Sequence, residues 1–125
     1  MDLNRKKNYG TEAIVNPHRF VKFGTASGMV IQAAAATDGI VGISDELGAE
    51  TSGDRIDVVK EGQTLLELGD TCTRGTLGTA DSVGRGIPAA PAQGANARYG
   101  CIFEESGVVG DIVPVTIVLG IMQGA

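Results

Sequence analysis

The sequence predicts an all-β fold, a small β-barrel or β-sandwich with an extended N-terminal arm, and three observations carry that reading. Apolar residues arrive in short bursts, and helix-length amphipathic windows are scarce. Clusters of Gly, Asp and Ser separate the bursts at intervals of about 8–12 residues, the spacing of sandwiches and barrels. Glycine supplies 19 residues of 125, more than twice its usual share of about 7%. The length fits one domain by the prior of roughly 100–200 residues per domain. A hydrophobic fraction of 42% argues against wholesale disorder.

The first 18 residues, rich in Asn, Gly and Pro, show no sustained period and read as an extended arm that is loose in isolation. The domain itself is expected over 19–125. Phe20–Phe23, Met29–Gln32 and Gly39–Ile43 are the first three expected strands. The Ala33–Ala36 run permits at most a single helical turn between them. Arg55–Lys60 begins with period two, placing Ile56 and Val58 on one face. Thr64–Leu68 follows after a tight connection, and Ala97, Tyr99, Cys101 and Phe103 form a further alternating face. Between these two strands, residues 75–96 read as a small-residue excursion with one short strand near Gly84–Ile87. Ile112–Leu119 is the strongest strand, expected to be central and buried on both faces. Pro114 lacks a ladder donor and belongs at a strand start, bulge or edge.

One internal echo stands out. Gly53-Asp54-Arg55-Ile56-Asp57-Val58 and Gly110-Asp111-Ile112-Val113-Pro114-Val115 share the form G-D-x-[IV]-x-V. Each is preceded by an acidic step, Asp45-Glu46 or Glu104-Glu105. Gly permits positive φ and Asp bonds nearby backbone, so these are turns.

Charge is unevenly spread. Arg5, Lys6, Lys7, Arg19 and Lys22 against Asp2 and Glu12 give the first 22 residues a net +3, whereas the remainder sets five positive against thirteen negative side chains, a net −8. A basic segment on an acidic body suggests a partner of its own. Nucleic acid is disfavoured, because the acidic body would repel phosphate and no aromatic-interleaved basic face accompanies it. No apolar run reaches the ~18 residues of a membrane span. No apolar segment follows the N-terminal charges as in a secretory signal, so synthesis in a cytoplasm is expected.

Reactive chemistry is sparse. His18 is the single histidine, and a nucleophilic triad needs an imidazole held beside Ser or Cys. Each carboxylate pair consists of neighbours that point to opposite faces of a strand, so neither is a dyad by itself. Gly84-Arg85-Gly86 is a weak phosphate-loop pattern, and Lys60 before Glu61-Gly62 is a weak candidate for a swinging-arm lysine. Cys72 and Cys101 lack metal-ligand spacing and read as buried reduced thiols, although pairing stays open. No cofactor, no metal and no turnover are expected. The rival reading is a ligand-binding or enzymatic β-barrel using Glu104, Glu105, Asp45 and Arg98.

The stretch RFVKFGTASGMVIQAAAATDGIVGISDELGAETSGDRIDVVKEG at 19–62 and the tail RYGCIFEESGVVGDIVPVTIVLG at 98–120 resemble the tailed-phage capsid decoration, or cement, proteins. The small-residue excursion TRGTLGTADSVGRGIPAAP at 73–91 is similar in texture to theirs. The resemblance implies a structural virion protein on the outside of a bacteriophage capsid, bound to the major capsid protein and stabilising it. It also implies a homotrimer, localisation to the virion after synthesis in the host cytoplasm, and neither membrane nor nucleic-acid binding. On this reading Arg5, Lys6 and Lys7 supply charge to a capsid-binding arm. Tyr9, Ile14 and Val15 supply its apolar contacts.

Overall fold

The computed structural model describes residues 5–124, and among them it contains strands and turns but no helix. Ten strands follow in order: β1 Arg5–Thr11, β2 Phe20–Phe23, β3 Met29–Gln32, β4 Ile40–Ser44, β5 Arg55–Glu61, β6 Gln63–Glu67, β7 Leu77–Ala80, β8 Gly86–Pro88, β9 Asn96–Phe103 and β10 Ile112–Gln123. The first five close into a barrel of order β1-β3-β2-β4-β5, and the last five form a sheet of order β6-β10-β9-β7-β8. The all-β expectation is thereby met; most expected strands lie within a residue or two of those found, but β10 runs four residues beyond Leu119 and the 75–96 excursion holds two strands, not one. Ala33–Ala36 runs through a turn, not a helical turn.

The N-terminal segment corrects the expectation of a loose arm. Residues 5–11 are a barrel strand, antiparallel to β5 (Tyr9 opposite Ile56) and parallel to β3 (Thr11 opposite Val30). Residues 1–4 of the expected arm lie outside the described residues. The stretch carries no apolar alternation because only its last three residues are buried. Its hold is supplied by backbone pairing to two neighbours and by Tyr9.

The two halves are built alike. Each strand pair of the barrel has its counterpart in the second sheet, with β1 answering to β6 and β5 to β10. Read around a ring, β6-β8-β7-β9-β10 is the barrel order again, and the parallel bridge Leu68–Gly86 stands where β1 meets β3. The hydrogen bonds repeat as well. Thr11 N–H donates to the Asp54 carbonyl (3.0 Å) while Gly53 N–H donates back to Thr11 (2.7 Å). Leu68 does the same with Asp111 (2.8 Å) and Gly110 (2.9 Å). Val15 exchanges two bonds with Ala49, as Cys72 does with Gly107. Thr11 and Leu68, Val15 and Cys72, Asp54 and Asp111 are each 57 positions apart. The Gly-Asp echo is one part of a repeated fifty-odd-residue unit. In both copies the glycine takes positive φ (91° and 92°), and the Asp carboxylate accepts the N–H three residues back, Thr51 or Val108.

Two apolar clusters result. Tyr9, Val15, Val21, Val30, Val41, Ala49, Ile56 and Val58 fill the barrel. Leu66, Leu68, Cys72, Ala80, Cys101, Phe103, Val113 and Val115 fill the second unit, joined by Phe20, Ala33, Ile40 and Ile43 from the first. Gly100 has to be glycine, since a Cβ there would stand 2.6 Å from the Phe20 ring. β10 is central, flanked by β6 and β9, but only its first half is buried: Val113 and Val115 face the core whereas Ile112 and Leu119 are exposed. The expectation of burial on both faces fails: among the described residues Ile112 stands 49% exposed on the outer face, and Leu119, within the register shift between Ile117 and Gly120, is 47% exposed. Pro114 aims its carbonyl at Glu104 N–H (3.1 Å), just past the end of β9. Its missing donor therefore leaves no ladder acceptor empty.

Removing residues 2–11 takes away the strand that closes the barrel. The truncated chain should lose its cooperative unfolding transition by circular dichroism, and a folded truncation would show that closure does not need β1. Phe103→Ala should cost about 3–5 kcal/mol in a denaturant titration. Ile121→Ala, at an exposed site, should stay within about 0.5 kcal/mol of the parent.

Candidate functional site

A cleft of about 290 Å³ opens between the units, lined by Lys6, His18, Asp45, Glu46, Val59, Thr64 and Leu65. The connection from β1 to β2 forms one wall and is held by Ser44. The buried Ser44 hydroxyl donates to the Asn16 carbonyl (2.8 Å) and accepts from Arg19 N–H (3.0 Å). His18 takes φ 58°, a left-handed conformation rare outside glycine. The second unit has Gly75, φ 88°, 57 positions on. The His18 N–H donates to the Asp45 carbonyl (3.3 Å), and its own carbonyl accepts from Glu67 N–H (3.0 Å). Its Nδ1 is buried without a hydrogen-bond partner among the described residues. Arg19 ties the same corner, reaching the Glu67 carboxylate at 3.2 Å and the Val83 carbonyl at 2.8 Å.

The six residues assigned to the arm divide into two groups. Arg5, Lys6, Lys7 and Ile14 are exposed, whereas Tyr9 and Val15 are buried in the barrel. Tyr9 meets Phe23 edge to face, its hydroxyl accepts from the Lys60 ammonium (2.9 Å), and Lys7 sits 5.2 Å from its ring centre. Apolar contact to a partner from Tyr9 and Val15 is therefore corrected: both are spent on the core. Lys60 is fastened to that phenol. Arg5 pairs loosely with Glu61 at 3.7 Å, both well exposed.

Asp45 and Glu46 line the cleft with His18. Glu104 and Glu105 occupy the corresponding loop of the second unit, where Glu104 accepts from the Thr116 hydroxyl (3.1 Å). Arg98 lines other depressions, beside Ile40 and Leu119. The groups of the rival enzymatic reading thus do not line one pocket. Among the described residues no three His, Cys, Asp or Glu side chains are grouped to hold a metal ion, and no helix is long and apolar enough to cross a membrane. Both cysteines are free and buried. Burial pushes the Cys72 thiol up to about 11 and raises Cys101 as well.

No protein-family model matches the chain, and no curated protein does. Among solved structures it is similar to the N base of the head fiber gp8.5 of bacteriophage phi29. The TM-score is 0.68 at 15% identity, with 92% of this chain and 94% of that one covered. The likeness is one of fold, and it extends over both units.

The raised thiols have a measurable consequence. The thiolate is the reactive form, so neither cysteine should be alkylated in the native protein near neutral pH, and both should react once it is unfolded. The fold favours the protonated thiol. Its contribution to stability is therefore complete below the ordinary value of 9.0 and is lost as pH climbs through about 11. Rapid native alkylation of Cys72, read by mass spectrometry, would contradict this.

Proposed function

We infer that this chain is a structural protein of the outer surface of a phage head, attached to the major capsid protein and acting without turnover. The observation that carries the reading is the fold likeness to the base of a phage head fiber, which spans nearly the whole of both chains. The resemblance of 19–62 and 98–120 to capsid decoration proteins points the same way. The physical features agree with it. A net charge of −5 keeps a free subunit soluble through self-repulsion. Two apolar cores and a closed barrel suit a protein that must persist on a particle surface.

The surface offered for the head is the cationic stretch of β1 with the adjoining connection: Lys6, Lys7 and Ile14. Lys6 and Lys7 project from a strand that is itself fixed, so docking there would cost little ordering entropy.

Co-sedimentation with expanded heads of the virus that encodes the chain tests this. The parent protein should saturate the heads. A Lys6→Glu, Lys7→Glu, Ile14→Ser variant should stay folded and lose most of its binding. Failure of the parent to bind heads would overturn the reading, and full binding by the variant would move the docking surface elsewhere.

A further inference from the structure

The chain carries two surfaces of opposite character at opposite ends of one strand. At the C-terminal end of β10, two adjoining depressions of about 300 and 330 Å³ share Ile40, Arg98 and Leu119. A register shift between Ile117 and Gly120, where β10 carries one residue more than β9, sits beside them. Phe23, Leu119 and Ile121 stand 60%, 47% and 60% exposed here. The cations of this groove are Lys60 and Arg98, and Arg98 makes no ion pair among the described residues. On a chain of net charge −5 this is a local inversion.

At the N-terminal end of β10, the loop 104–111 presents Val108 and Val109, 55% and 58% exposed, beside Glu104, Glu105 and Asp111. The loop is held in shape before any contact. Gly107 exchanges backbone bonds with Cys72 (2.9 and 3.1 Å), and the Asp111 carboxylate accepts from Val108 N–H (3.0 Å). A pre-ordered loop loses little entropy on insertion.

We propose that the groove receives the 104–111 loop of a second copy of this chain, Val108 and Val109 entering between Phe23 and Leu119 while Glu105 meets Arg98. Charge complementarity selects this occupant, since the same molecule carries the cationic apolar groove and the acidic apolar loop. The distance from Ile112 to Gly120 along β10 is about 26 Å at ~3.3 Å per residue, so one copy's loop does not reach its own groove. The contact is heterologous, and each copy keeps a free loop and a free groove until a ring closes. This inference goes beyond the capsid reading and does not require it.

The test is light scattering over a concentration series with the full chain. The parent should associate reversibly above the monomer mass, and more weakly at high salt. Arg98→Glu, Glu105→Lys and Val109→Ser, all at exposed positions, should each weaken association about tenfold or more. An equimolar mixture of the Arg98→Glu and Glu105→Lys proteins should recover it, because each reversed loop then meets a reversed groove. A parent that stays monomeric overturns the proposal. So does association that the three substitutions leave unchanged, or a mixture that fails to recover while both variants are folded by circular dichroism.

Discussion

The start of β2, Phe20 and Val21, and the whole of β4 bury both of their faces, and the remaining architecture depends on that double burial. Along β2, Phe20 enters the second cluster and Val21 the barrel; along β4, Ile40 and Ile43 do the first and Val41 the second. All five residues of β4 are buried. Two successive side chains serving two cores make this wall a joint with no polar face to spare, so neither unit can shift without opening the other. Gly42 and Gly100 are small where the wall meets its neighbours: a Cβ at Gly42 would strike the Val58 side chain and backbone of β5, and one at Gly100 would strike Phe20. Interiors packed to crystal-like density leave no slack for such insertions.

The repeated unit explains why so few large residues suffice. Each unit needs a turn that returns the chain onto the connection following its first strand, and Gly-Asp supplies it twice. Glycine takes the left-handed conformation and aspartate satisfies the exposed backbone donor. Within the units the large residue moves: Tyr9 and Val21 fill the barrel, whereas their counterparts 57 positions on are Leu66 and Gly78, and Phe103 occupies the space above Gly78. The second unit thus borrows volume from Phe20 and Ile40 of the first.

Most strands were legible because half-buried strands alternate and Gly or Asp ends them. The two that were not have clear reasons. β1 exposes its first four residues and has no apolar period to read. β7, Leu-Gly-Thr-Ala, carries a glycine to admit Phe103 and a buried Thr79 whose hydroxyl donates to the Arg98 carbonyl (2.7 Å), so it looks like a loop. The Gly-Asp echo was visible, yet extending it upstream would have paired Tyr9-Gly10-Thr11 with Leu66-Glu67-Leu68 and exposed β1 as a strand. Of the candidate site, the basic character of residues 5–7 was readable. That Tyr9 and Val15 are core was not, because burial there comes from backbone closure rather than from sequence pattern. The apolar groove at Phe23, Leu119 and Ile121 joins residues nearly a hundred positions apart, and no local signal marks it.

The shared wall also dictates an order of events on the ribosome. The first barrel can close as soon as β5 has emerged, since β1 then finds both of its neighbours. At that moment Phe20, Ile40 and Ile43 point outward into water, awaiting a half of the chain not yet made. The nascent first unit is therefore a sticky intermediate, and it loses that stickiness only when β9 and β10 arrive to cover it. Residues Leu77–Pro91, small and easily threaded, lie in the stretch that must pass before the covering strands appear.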